Sequence, residues 1–264
     1  MKYYTYLLIV ALLSSSFVYG DKKNTFVEQT NSQYHRVSFG PDIFYTATRT
    51  KYKSYNTEAR FTSNTVFGGL KVGYDYIRPQ SFYFGMDGLA AIGKGSYTAY
   101  YEHYMFDFFY PQVMEQKVET IPLFTNIEQR YGYTFQSAFT EKSTLIPFAG
   151  IGGYYFRDQF NKGSFFQSWC YATIGLRINQ QFSKHFDIGC NLKVMYDFIG
   201  EIRTDRMFER GRNNIWGYEV DIPCTLHLGT SKKWDLQFQP YLLTLDIRST
   251  PQFFGLRLQT GYSF

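Results

Sequence analysis

Apolar and polar side chains alternate along most of the chain from residue 35 to its end. The last segment shows this most plainly. Phe254, Leu256, Leu258, Thr260, Tyr262 and Phe264 fall on one parity, and Gly255, Arg257, Gln259, Gly261 and Ser263 on the other. Upstream, Phe186, Ile188, Cys190, Leu192, Val194, Tyr196 and Phe198 alternate with Asp187, Gly189, Asn191, Lys193, Met195 and Asp197. Between these segments, Tyr218, Val220, Ile222, Cys224, Leu226 and Leu228 oppose Glu219, Asp221, Pro223, Thr225 and His227. Period two is the strand period, and runs beyond ten residues exceed the usual globular strand of about five or six. They suit strands of about 9–11 residues tilted across a bilayer, with extra length projecting above it.

The pattern predicts ten strands, at about 35–50, 59–77, 82–94, 119–138, 144–157, 166–180, 185–199, 214–229, 233–246 and 251–264, each boundary good to about three residues. Eight or twelve strands are also compatible with it. The second, fourth, sixth and eighth connections are short: 78–81, 140–143, 181–184 and 229–232. Several of the others are longer, 95–118 being the longest. Short turns on one rim and longer loops on the other describe an all-β, antiparallel up-and-down transmembrane β-barrel whose ends return to one side. Strand four fits least well, because Gln129 lies on the apolar parity, and a β-bulge is expected there.

Charge placement selects the register. Asp42, Lys71, Asp75, Asp87, Glu128, Arg130, Arg177, Asp187, Lys193, Asp197, Glu219, Asp221 and Arg257 all fall opposite the apolar face and are expected to line the lumen as a network. A basic residue facing lipid at mid-depth costs about 2–4 kcal/mol, an acidic one less. Reversing the parity would cost on the order of tens of kcal/mol in sum, more than a domain's whole stability of about 5–15 kcal/mol. A soluble sandwich or lipocalin-like barrel would alternate too, but with its polar face outward.

Composition narrows the alternatives further. Aromatic residues make up 21% of the chain and charged residues only 19%, which excludes disorder and fits aromatic girdles at two membrane interfaces. The net charge of +5 comes without a Lys/Arg-rich tract, so no nucleic-acid partner is expected. No nucleotide, flavin or metal motif is present, and no cofactor is implied. Three cysteines, Cys170, Cys190 and Cys224, cannot all pair and read as small apolar fillers. At the N-terminus, Lys2 precedes an apolar stretch, Tyr3–Leu13, too short to span a bilayer. Ser14–Ser16 and Val18-Tyr19-Gly20 follow, the pattern of a signal peptide cleaved after Gly20.

The terminal strand LRLQTGYSF ends on Phe264 with Leu256, Leu258, Thr260 and Tyr262 at alternating positions before it. It is similar to the C-terminal signal that the barrel-assembly machinery reads in bacterial outer-membrane β-barrel proteins. LIPFAGIGGYYF and FDIGCNLKVMYDF also resemble strands of small members of that class. The resemblance implies export to the outer membrane of a Gram-negative cell. It divides the chain into a signal peptide (1–20), a polar periplasmic arm (21–33) and a barrel (34–264). It implies outer-membrane lipid, lipopolysaccharide and the assembly machinery as partners, for a monomer.

Three functions are compatible with such a barrel. The first is a plugged or very narrow barrel whose extracellular loops contact a surface ligand or support membrane integrity. Its loop candidates are Tyr97–Tyr110 (YTAYYEHYMFDFFY) and Glu201–Arg212 (EIRTDRMFERGR), which read equally as the upper parts of strands. The second is a small porin-like diffusion channel, with Gly73, Gly85, Gly150, Gly152, Gly175 and Gly189 opening the lumen. The third is a hydrolase, for which only His103, with Glu102 and Asp107, is suitably placed. The expectation is that the chain is not an enzyme.

Overall fold

The structure, a computed structural model, describes residues 34–54, 57–103, 112–136, 143–160, 163–204, 207–210, 215–229, 233–245 and 251–264. The expected signal peptide and arm lie outside these residues. Every described element is a β-strand: β1 (Tyr34–Ser54), β2 (Thr57–Ile77), β3 (Phe82–His103), β4 (Gln112–Thr120), β5 (Leu123–Tyr133), β6 (Phe135–Gln136), β7 (Ser143–Phe160), β8 (Gly163–Ser183), β9 (Phe186–Thr204), β10 (Met207–Arg210), β11 (Ile215–Asp221), β12 (Cys224–Leu228), β13 (Trp234–Thr244) and β14 (Pro251–Ser263). β4, β5 and β6 are pieces of one stave, and β10, β11 and β12 of another, so the wall has ten staves.

Each stave pairs antiparallel with its sequence neighbours, and β14 closes on β1 with Asp42 opposite Arg257 and Val37 opposite Tyr262. At the seam the backbones of His35 and Phe264 exchange hydrogen bonds of 3.0 and 3.2 Å. The ten staves thus close on one another, as a bilayer demands, while β4 and β10 pair on one side only among the described residues.

Two prolines explain the interrupted staves. Pro122 separates β4 from β5 and Pro223 separates β11 from β12, because neither can donate to the ladder. Their carbonyls still accept, Pro122 from Gly93 N at 2.8 Å and Pro223 from Gly189 N at 2.7 Å. The wall is therefore held together past both prolines. The turn at residues 78–81 places Gln80 at a φ of 50°, and the Tyr133 hydroxyl donates to its carbonyl at 2.6 Å.

The two faces differ as alternation requires. Val37, Phe39, Ile43, Leu70, Val72, Ile92, Ile127, Ile151, Ile174 and Leu258 all point outward and are exposed. A water-soluble surface does not carry an apolar band of that extent. Aromatic rings edge the band near the rim where β1 begins. Trp234, Tyr262, Phe264, His35 and Tyr76 follow one another across four staves with centroid spacings of 4.8–6.2 Å. Tyr74, Phe84 and Tyr131 continue the belt at 6.0 and 5.3 Å. Trp216 and Tyr196, 4.8 Å apart, lie toward the opposite edge. These are the positions interfacial aromatics take.

Two sequence expectations are corrected. No bulge forms at Gln129: its stave keeps regular register with both neighbours, Met86 opposite Gln129 and Gln129 opposite Ile151. The side chain remains on the lipid face and reaches Met86 Sδ at 3.9 Å. The described register shifts lie instead between β8 and β9, at Cys170/Tyr171 and Gln181/Ser183.

The second correction concerns the long loops. β3 continues to His103 and pairs with β4 from Gly95 opposite Thr120 to His103 opposite Gln112. β9 continues to Thr204 and pairs with β10 through Arg210. Tyr97–His103 and the described part of Glu201–Arg210 are thus upper strands, and residues 104–110, Asp107 among them, lie outside the described residues. Tyr, Thr and Ile favour extended backbone even where no apolar face remains, and 97–103 contains no Gly, Pro or Asn to turn it.

Candidate functional site

The inward parity places ionisable side chains from every stave at close quarters, and the lumen is where they meet. Arg257 on β14 donates from Nε to Asp42 Oδ2 at 3.0 Å and lies 2.9 Å from Glu219 through Nη1. Its guanidinium stacks on Tyr241, 3.7 Å from the ring centre, and Tyr241 donates to Asp42 at 2.9 Å. Lys193 Nζ bridges Glu219 at 2.5 Å and Glu128 at 2.8 Å. Arg130 lies between Glu128, Asp75 and Asp87, closest to Asp87 at 2.6 Å, which Lys71 approaches at 3.4 Å. Asp75 receives Arg177 at 3.2 Å and Tyr83 at 2.8 Å.

Ten of the thirteen charged residues singled out from the sequence join this one chain of contacts. The other three are held by neutral groups or by histidine. Asp187 meets His227 Nε2 at 2.8 Å, Asp197 accepts from Tyr154 at 3.2 Å, and Asp221 accepts from Asn191 at 2.6 Å. Two members were not singled out. Arg36 is bound bidentately by Asp235 at 2.7 and 2.9 Å and joins the chain through Asp75 at 4.0 Å. Both have inward parity, and their positions near strand starts hid them among rim charges.

Several contacts cross the lumen and do not merely follow the wall. Glu128 on the fourth stave meets Lys193 on the seventh, and Asp75 on the second meets Arg177 on the sixth. Such pairs hold opposite walls together. An enclosed ion pair is favourable only when its remaining hydrogen bonds are met; tyrosine hydroxyls donate to Asp42, Asp75 and Glu128 Oε2, while Glu128 Oε1 accepts no hydrogen bond from the described residues.

A second layer, of aromatic rings, lies on the side of the network away from the rim where β1 begins. Phe44, two residues beyond Asp42, stacks on Phe67 at 4.7 Å. Phe124 meets Phe44 and Phe253, each at 5.7 Å, although it stands on the fourth stave and they stand on the first and tenth. Tyr154, Trp169 and Met195 complete the cluster. Alternation scored as apolar against polar conceals this layer, since these phenylalanines share a parity with the charges.

The inward glycines do not open space. A Cβ on Gly152 would lie 2.4 Å from the Tyr171 ring, and one on Gly175 would lie 2.3 Å from the Phe148 ring. Each accommodates an aromatic side chain from a neighbouring stave. Among the described residues a cavity of about 80 Å³ is lined by both layers, room for about five waters.

The C-terminal residues are placed on the wall's outer side. Leu258 and Phe264 are exposed to the bilayer side, Leu256, Thr260 and Tyr262 are half-buried, and β14 pairs with both β13 and β1. His103 occupies the last position of β3, with Glu102 next to it along the strand. Cys170, Cys190 and Cys224 are free thiols. No group of three or more metal-binding side chains occurs among the described residues.

Comparison with solved structures places this architecture. The outer membrane protease OmpT from Escherichia coli is 9% identical, the match covering 91% of this chain and 99% of that one at a TM-score of 0.51. An outer membrane channel from Pseudomonas putida F1 is 11% identical over 93% of this chain and 100% of its own, at 0.41. OprG from Pseudomonas aeruginosa is 11% identical over 90% and 99%, at 0.37. No family model matches the chain, and no curated protein is significantly similar to it in sequence. The fold is that of the bacterial outer-membrane β-barrels, and the apolar outer band suits a bilayer.

Proposed function

We propose that this chain is a plugged outer-membrane barrel, a rigid scaffold whose function lies at its extracellular end, and that it is not an enzyme. The observation that carries the reading is the cross-lumen contact of two layers, Glu128 with Lys193 and Phe124 with Phe253, which meet from staves on opposite sides of the barrel. A diffusion channel needs a continuous wet path, and the ring-filled glycines argue against one. In this reading the short-turn rim is periplasmic, and the tall hairpins β1–β2, β3–β4, β7–β8 and β9–β10 project outside. Their Tyr, Arg and Glu residues suit contacts with lipopolysaccharide or a surface ligand. Residues 1–20 act as the export signal, and the β14 terminus guides assembly as a monomer.

Purified protein in planar bilayers tests the reading. The expected record is a flat baseline without discrete current steps at high salt. Unitary steps whose size scales with salt concentration would establish the channel instead.

A further inference from the structure

A carboxylate on the eighth stave stands outside the chain of ion pairs. Asp221 is 6% exposed, and no cationic side chain of the described residues comes within 4.0 Å of it. Arg257 and Lys71 act on it from beyond 4.0 Å and have closer partners, Lys71 standing 3.4 Å from Asp87. Lys193 bridges Glu128 and Glu219, while Arg257 bridges Glu219 and Asp42. Asp221 is met by amides instead: Asn191 Nδ2 donates to Oδ1 at 2.6 Å, and Gln239 donates as well.

The amide bond fixes the direction of Asn191, because the opposite orientation would set its carbonyl oxygen against the carboxylate. Asn191 Oδ1 is then a buried acceptor with no partner among the described protein groups. Gln259, 5% exposed, lines the same cavity and leaves its Nε2 unpartnered. A lone carboxylate enclosed in protein is costly unless its charge is met. Two oxygen acceptors, one of them charged, thus face a pocket large enough for an ion and its remaining water.

We propose that this pocket holds a partly hydrated monovalent cation, bound by the Asp221 carboxylate and Asn191 Oδ1. Water completes the shell and accepts from Gln259 Nε2. Oxygen-only ligands select a hard ion. One carboxylate balances a single charge, and the oxygens of Glu219 are already taken by Lys193 and Arg257. A divalent ion would leave excess positive charge beside those two bases. The site does not depend on the plugged reading, since an ion held here is detectable whether or not the barrel conducts.

Rubidium is the probe. Crystals of the full barrel soaked in rubidium chloride are expected to show an anomalous peak between Asp221 and Asn191, absent from Asp221→Asn. In detergent at constant ionic strength, the melting midpoint of the wild type should rise when choline chloride is replaced by rubidium chloride. The midpoint of Asp221→Asn should not respond. The wild-type crystal alone decides the matter if the variant folds poorly. Ordered water without anomalous signal at this position, or an infrared band showing Asp221 as a neutral acid, would overturn the proposal.

Discussion

Replacing Arg257 by leucine is expected to destabilise the folded barrel by about 3–5 kcal/mol, the usual consequence of stripping one partner from a buried ion pair. The size follows from what is left behind. Asp42 is 0% exposed and loses its only cationic partner within 4.0 Å among the described residues, while the hydroxyl of Tyr241 stays. Glu219 retains Lys193, and Tyr241 loses the guanidinium stacked on its ring. Urea titration in lipid vesicles, followed by heat-modifiable gel mobility, measures the loss. Combining Arg257→Leu with Asp42→Asn should restore a large part of it, because the stranded charge is then gone. A loss below about 1 kcal/mol, the level of an exposed pair, would mean that bulk water reaches Asp42.

Truncating Phe124 to alanine is expected to cost a similar amount, about 3–5 kcal/mol, by a different route. The ring is 2% exposed and packs between Phe44, Phe67, Tyr154 and Phe253. Its removal leaves a void that staves held by continuous backbone pairing cannot collapse to fill, so the loss combines transfer and cavity terms. The same urea titration reads it. Phe124→Ala should remain silent in planar bilayers, because the ionic layer still crosses the lumen. Phe124→Leu, which keeps most of the volume, should lose far less.

The fold was legible because a lipid-spanning strand must satisfy two solvents at once. On the terminal strand from Phe254 to Phe264 every second residue except Thr260 is apolar or aromatic, and the charges on the opposite parity leave a single register that avoids burying ions in lipid. The interior was legible only in part. Asp42 announced its face, but Phe44 on the same face did not, since an inward phenylalanine breaks a binary pattern without indicating what it meets. Which residues face each other across the lumen depends on the stagger with which the sheet closes. The Glu128 to Lys193 contact is therefore invisible along the chain. The tall hairpins were missed for a related reason. Above the bilayer both faces are wet, alternation fades, and only the strand propensity of residues such as Tyr97, Thr98 and Tyr100 remains. Gln129 shows the tolerance of the wall, as one neutral amide facing lipid requires no bulge.

Fluorescence of the three tryptophans tests most directly which face meets lipid. Trp216 and Trp234 stand on the outer face, while Trp169 is packed inside against Tyr154 at 4.9 Å. Variants that keep one tryptophan each, the others replaced by phenylalanine, can be reconstituted in bilayers of brominated phospholipid. Emission from Trp216 and Trp234 should be strongly quenched, and emission from Trp169 should match that in unbrominated lipid. Quenching of Trp169 with the other two left bright would place the charged face against the acyl chains and contradict the account.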